Sequence, residues 1–407
     1  MPQRSYVPAS APGQTHVLDA VARWSTVIGM LAVIFAVFRL FNGADTPFLA
    51  FATIGAAVVH ATTRPCKGEI AFTLALGAVL AAAYQQNHGE FGRYPGARIV
   101  AAAGFWGLAA MLVLGWRAAR STHHLASFLT AVFCPAVMIV TNLALAMAIG
   151  LSPKVFDLYL YRLDGMLGAQ FSFVAGQWLQ HVPFLLTTCF LVYSSLPLVE
   201  VVLFLLFLRG YRMPANPLIA CAVAGIAGFA LYQICPATGP VHVFGAAFPK
   251  SLPGLMPVAT IALPNVPRNA IPSLHSAWAL LIAWNVRYCP RWMRLLAMLF
   301  LAFTLLATLG LGEDYLIDFA VAAPFTVGVQ MASIKSWTRS VAAFGLAIAW
   351  RVYARLGVVA FVPAPGVLWA IVIGTLACSA VLAGFLPLAR SLTSANALSQ
   401  TCATRSS

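Results

Sequence analysis

Long apolar runs alternate with short polar or basic breaks along nearly the whole chain. Roughly a dozen of these runs reach or approach the ~20 residues that a helix needs to cross a bilayer. They are Trp24–Phe41, Pro47–Thr63, Glu69–Tyr84, Arg98–Trp116, Leu125–Gly150, Pro183–Leu208, Asn216–Cys235, Ser273–Tyr288, Trp292–Leu311, Tyr315–Ala332, Ser340–Leu356 and Gly366–Ala389. Inside a bilayer every backbone group must be bonded within the protein, so the elements predicted are helices. The second, third and eleventh runs carry the weakest pattern. Ser340–Leu356 includes Arg351 and Arg355, so it reads either as a span whose arginines snorkel or as a helix lying along the interface. Two connections, Leu151–Val182 and Pro236–Pro272, are long enough to hold structure of their own. Two spans separate them, which puts both on the same side.

Composition agrees with a polytopic membrane protein and excludes a soluble globule. The 407 residues are 61% hydrophobic and 8% charged, whereas roughly a quarter of a soluble domain is charged. The net charge of +14 comes from basic residues scattered between apolar runs. That distribution does not suit nucleic acid, which calls for dense basic clusters with interleaved aromatics; it suits membrane orientation. With twelve spans, Arg209, Arg212, Arg287, Arg291 and Arg294 fall on the cytoplasmic side. Both long loops and the acidic segment Glu313–Asp318 fall on the other. The first 20 or so residues are polar and lack the apolar stretch of a cleaved signal peptide. Eight cysteines occur singly, without a CxxC pair, so no zinc site or disulfide framework is indicated. Cys402 is followed by five residues, so no C-terminal prenylation box is expected.

Two short segments concentrate the chemistry. Ionisable groups at membrane depth are costly and mark function by default, and Glu313, Asp314 and Asp318 form such a group. Asp314 and Asp318 stand four apart, on one face if their helix starts near Gly312. A plainer reading has Glu313 and Asp314 capping the helix that follows, where negative charge is favoured; Asp318 is harder to explain that way. The other segment is Arg268-Asn-Ala-Ile-Pro-Ser-Leu-His275 at the head of a span. Pro272 suits a first helical turn, Ser273 can cap, and the free N–H groups there attract an anion. Arg268 can clamp a phosphate and His275 can exchange a proton near neutral pH, although a lone histidine at an interface is more often structural.

Together the two segments resemble the signatures of the type 2 phosphatidic acid phosphatase superfamily. Its second signature, Pro-Ser-x-His, matches Pro272-Ser273-Leu274-His275. Its third places a histidine four residues before an aspartate, here Asp314-Tyr-Leu-Ile-Asp318. The wording is closest to the branch that includes inositol phosphorylceramide synthases. The resemblance covers about Leu125–Ala332 and implies an all-helical transmembrane bundle with a six-span phosphatase-like core at 125–333. Around that core the expected organisation is a tail at 1–23, N-terminal membrane helices at 24–124, C-terminal helices at 334–390 and a disordered tail at 391–407.

The resemblance also implies roles. His275 is the general acid, Asp318 orients the nucleophile, and the nucleophile position is Asp314. The first signature ends in a lysine and an arginine, but Tyr232 and Gly239 stand in their places. Ala307 and Thr308 replace the Ser-Arg pair expected before the third. Phosphate binding then falls to Arg268 with Ser273 and Tyr232, and with Lys250, His242 or Arg162 in reserve. Lys154–Gly168, which carries Arg162, resembles the Tyr- and Asp-rich interfacial segment of that branch; a helix that only seals the site explains it equally well.

The expected function is a lipid phosphatase or phosphotransferase at the extracytoplasmic face of a bacterial inner membrane. It would act on a lipid phosphate or phosphodiester, with a lipid alcohol as acceptor where transfer occurs, and would need no metal or organic cofactor. An aspartate at the nucleophile position implies impaired activity. Three explanations stand: an inactivating substitution, a natural pseudoenzyme that still binds lipid, or altered chemistry. The rivals are a transporter or inactive lipid-binding protein that uses Asp314 and Asp318 as an ion relay, and a metal-dependent hydrolase with His242, His275, Asp314 and Asp318 as ligands.

Overall fold

A computed structural model describes residues 46–87, 97–254, 256–357 and 364–385, with isolated positions at 25, 28, 29 and 32. The first expected span, Trp24–Phe41, and both expected tails lie essentially outside the described residues. What is described is helical, with almost no sheet. Among the described residues six helices are long and apolar enough to cross a membrane: Lys67–Gln85, Arg98–Arg120, Thr122–Leu151, Arg291–Gly310, Leu316–Ser333 and Pro365–Ala383. A seventh is added if the bent pair Pro183–Ser194 and Leu196–Leu208 counts as one span.

Three of the expected runs depart from a single full-length helix for local reasons. Pro183–Leu208, expected as one run, is two helices bent by 54°. Pro197 lies at the bend and removes a backbone donor while crowding the preceding turn. Pro217–Tyr232 stops before Pro236, and Leu274–Asn285 starts only after Pro272. Its 12 residues reach about 18 Å, well under the ~30 Å hydrocarbon core. The polar ends of those two runs are spent on turns, and these turns build the site.

The chain divides into two compact units. The first, residues 1–140 with 197–202, contains the helices Thr46–Thr62, Lys67–Asn87 and Ala97–Arg120. Small residues let two of them touch backbone to backbone: a Cβ added at Gly107 would lie 1.9 Å from the Thr53 carbonyl oxygen. Such close approach is how helices gain packing energy where lipid supplies no hydrophobic drive. Arg117 closes one end of this unit through an ion pair with Glu69 and a hydrogen bond to Thr63 Oγ1.

The second unit, residues 141–196 with 203–407, carries both signature-like segments. Its core joins Leu160, Phe173, Tyr232, Ile271, Leu274, Ile317 and Phe325 with Trp350 and Leu368 from the C-terminal helices Trp337–Arg355 and Pro365–Ala383. Those last helices are therefore part of the packing around the site. The long loop Leu151–Val182 folds into the helices Asp157–Met166 and Phe171–His181. A two-residue antiparallel ladder, Lys154–Val155 against Ile261–Ala262, ties that loop to the other long loop, as their expected placement on one side requires.

Candidate functional site

The site forms where three turns meet: Cys235–Pro240, Ala270–Ser273 and Gly312–Tyr315. Ser273 is the N-cap of Leu274–Asn285, its Oγ accepting from the Ser276 N–H at 3.2 Å. The same hydroxyl donates to Asp314 Oδ2 at 2.5 Å. Pro272 stands before the cap instead of inside the first helical turn. Tyr232, the last residue of its helix, donates its phenol hydrogen to the Pro272 carbonyl at 3.3 Å. The positions taken from the three family signatures thus converge as a chain of contacts, Tyr232 to Pro272 and Ser273 to Asp314.

Asp314 does not lie on a helix. Its segment turns at Gly312, with φ +80, and the helix begins only at Leu316. Asp314 is buried, with its backbone oxygen held by Ser172 Oγ and its N–H bonded to the Thr308 carbonyl. Burial pushes its carboxyl up from the ordinary range, Glu313 adds to the rise, and the Ser273 and Thr308 hydroxyls oppose it. Desolvation favours the neutral acid.

Capping of Leu316–Ser333 is assigned differently from the expectation. Asp318, thought too deep to cap, accepts the Tyr315 N–H on Oδ2 at 2.7 Å. Asp164, from the neighbouring helix, accepts the Leu316 and Ile317 N–H groups at 2.8 and 3.0 Å. Glu313 points elsewhere, its carboxylate lying 3.7 Å from His242 Nε2. The helix N-terminus attracts anions, and the carboxylates that reach it are those two, while Asp314 is left to Ser273.

Asp157 was not singled out in the sequence, yet it joins three segments. It accepts from the Thr238 N–H, the Gly239 N–H at 2.9 Å and the Tyr315 hydroxyl at 3.1 Å. Asp157 and Asp164 are seven residues apart, two helical turns, and so share a face. That spacing within the Asp-rich segment was the available signal. Burial raises Asp157 to about 6 and Asp164 to about 7, against the hydrogen bonds each accepts.

The expected phosphate binders are dispersed. Arg268 is buried, and its guanidinium donates to the carbonyls of Ser152, Pro153, Leu263 and Val266. It staples one long loop to the other. Arg162 is exposed and lines an open cavity of about 490 Å³ with Gln170, Pro253 and Met256. Lys250 is exposed. His275 stacks on Tyr193, with ring centroids 4.0 Å apart, and meets Trp278 edge-on. Among the described residues no three His, Cys, Asp or Glu side chains are grouped to hold a metal ion, so His242, His275, Asp314 and Asp318 do not assemble as a ligand set.

Arg351 is the residue that sequence reasoning misplaced. It is fully buried and does not snorkel. Its Nη2 donates to the Cys235 carbonyl at 3.3 Å, and its guanidinium carbon lies 5.9 Å from the centre of the Tyr232 ring. Nothing in an isolated helical run says which face an arginine takes.

Fold and site define a helical integral membrane protein with buried acid and hydroxyl groups gathered at the mouths of its helices. Residues 158–332 match the family model described as PAP2 superfamily. The match holds all three converging turns and ends before Arg351. It supports, in general terms, a phosphatase-like action on lipid phosphates. No curated protein and no solved structure matches the chain.

Proposed function

We propose that this protein binds a lipid phosphate or phosphodiester at the extracytoplasmic face of a bacterial inner membrane, on a phosphatase or phosphotransferase scaffold whose turnover Asp314 impairs. The observation that carries this reading is the Ser273–Asp314 hydrogen bond. It unites the second- and third-signature positions across 41 residues of sequence, as a phosphoryl-transfer site requires.

In such a site a histidine nitrogen forms a bond to phosphorus as the bond to the leaving oxygen breaks, and His275 supplies the proton to that oxygen. Asp314 has no imidazole lone pair to offer. Burial shifts its carboxyl toward the neutral acid, against the Ser273 hydrogen bond, and a neutral carboxylic acid is a poor attacking group. Binding is retained and chemistry is slowed. The phosphorylceramide-synthase-like branch, with a lipid alcohol as acceptor, remains part of this proposal.

Purified protein in nanodiscs would be compared with Asp314→His, reading phosphate release from phosphatidate and phosphoryl transfer to an added lipid alcohol. The expected result is background turnover for the native chain and a clear gain for the variant. Native turnover equal to that of the variant would overturn the impairment, and a native chain that neither binds nor turns over lipid phosphate would overturn the whole reading. The ion-relay reading rests on Asp318 Oδ1, which is buried without a hydrogen-bond partner. Proton-coupled counterflow in proteoliposomes, abolished in Asp318→Asn, would favour it.

A further inference from the structure

We propose that Arg351 is the cation that holds the ligand's phosphate oxyanion, supplied from a helix outside the matched segment. The inference rests on the lipid-phosphate reading above and adds to it the residue that neutralises the charge. Among the described residues Arg351 is 0% exposed, and both Nε and Nη1 are buried without a hydrogen-bond partner. A buried guanidinium with unused donors is costly unless something anionic accepts them.

Its surroundings connect the guanidinium to the site through Cys235 and Tyr232. Nη2 is tied to Cys235, in the turn that follows Tyr232. The guanidinium lies over the Tyr232 ring, and the Tyr232 phenol reaches Pro272, the residue before Ser273. The carboxylate within electrostatic reach of Arg351 is Asp318, whose Oδ1 also lacks a partner, and no ion pair joins the two directly. Unused buried donors on Arg351 and an unused acceptor on Asp318 therefore stand around Tyr232, whose phenol leads to Pro272 and Ser273. The other cations considered for this role are engaged or exposed: Arg268 is spent on four carbonyls, His242 faces Glu313, and Arg162 and Lys250 are exposed. Where the family signatures lack their lysine and arginines, Arg351 restores a charge able to make several bonds to phosphate oxygens.

The test measures affinity by thermal-shift titration of the full chain in nanodiscs with dioctanoyl phosphatidate, with inorganic phosphate, and with dioctanoylglycerol as the uncharged control. Arg351→Lys keeps the charge and guards against a variant that does not fold; Arg351→Gln removes it. Phosphatidate affinity should fall roughly tenfold or more in Arg351→Gln and less in Arg351→Lys, with dioctanoylglycerol unaffected. A parallel fall for inorganic phosphate would show that the phosphate alone is recognised; a fall for phosphatidate only would show recognition of the lipid headgroup, and either supports the proposal. Unchanged phosphatidate affinity in both variants overturns the role of Arg351 while leaving the lipid-phosphate reading intact. A native chain that binds neither phosphate ligand overturns both.

Discussion

The Ser273 hydroxyl donates to Asp314 Oδ2 while its oxygen accepts from the Ser276 N–H. One side chain thereby caps a helix and fixes the Asp314 carboxyl, the position that the family resemblance gives to the nucleophile. Ser273→Ala removes both bonds, so a loss of about 1–2 kcal/mol in unfolding free energy is expected. Denaturant unfolding in detergent measures it; a loss under about 0.3 kcal/mol would mean that neither bond stabilises the folded chain.

Gly239 has φ +95, and a Cβ there would lie 2.2 Å from the Glu313 carbonyl oxygen. Gly239→Ala should cost clearly more than the ~1–2 kcal/mol of left-handed strain alone. Gly210 is the control, with φ +85 and nothing within 4 Å of the added Cβ. Equal melting temperatures for the two alanine variants would show that the Gly312–Tyr315 turn yields freely.

The carboxyls of Asp157 and Asp164 are raised by burial from 3.8 to about 6 and about 7. Below the unfolded value both states hold the proton, and this contribution to stability is fully present. As pH climbs through the folded values, the unfolded chain has already released its proton and the folded chain must release it into a buried site, so the contribution is lost. The melting temperature should accordingly fall as pH rises from the unfolded value of 3.8 to about 7 and level off above it. Asp164→Asn should flatten that fall, and an unchanged slope would remove Asp164 from the balance.

Arg268 holds Ser152, Pro153, Leu263 and Val266 by their carbonyls. Arg268→Met should therefore lower stability by about 3 kcal/mol with little change in phosphatidate affinity in the molecules that fold. The opposite pattern, native stability with lost affinity, would return Arg268 to the phosphate.

His275 stacks on Tyr193. In the Asp314→His background, His275→Asn should reduce phosphoryl transfer by roughly 10²–10⁴-fold while leaving phosphatidate affinity near native. Undiminished transfer would remove His275 from the acid role.

Much of the helical plan was legible in hydropathy, because a bilayer demands internally bonded apolar runs and leaves few alternatives. Leu125–Gly150 and Trp292–Leu311 correspond to helices at Leu125–Leu151 and Arg291–Gly310. The bend near Ser195 and the shortness of Leu274–Asn285 were harder to see. Hydropathy averages over a window, whereas Pro197 and Pro272 act at single bonds. The candidate site was legible where chemistry is local in sequence: Ser273 caps the helix three residues before the Ser276 N–H that it accepts, whereas its contact with Asp314 spans 41 residues.

By itself the sequence determined a helical membrane protein and two short segments rich in acid, hydroxyl and imidazole groups, since composition and spacing are properties of the chain. Which group serves which partner was decided only by tertiary structure. Asp164 caps a helix more than 150 residues away, Arg268 is consumed by carbonyls, and Arg351 turns inward to Tyr232 and Cys235. The reason is physical: a buried donor or acceptor must be satisfied by whatever the packing brings within about 3 Å. That neighbour is set by how helices far apart in sequence meet, which no local pattern records.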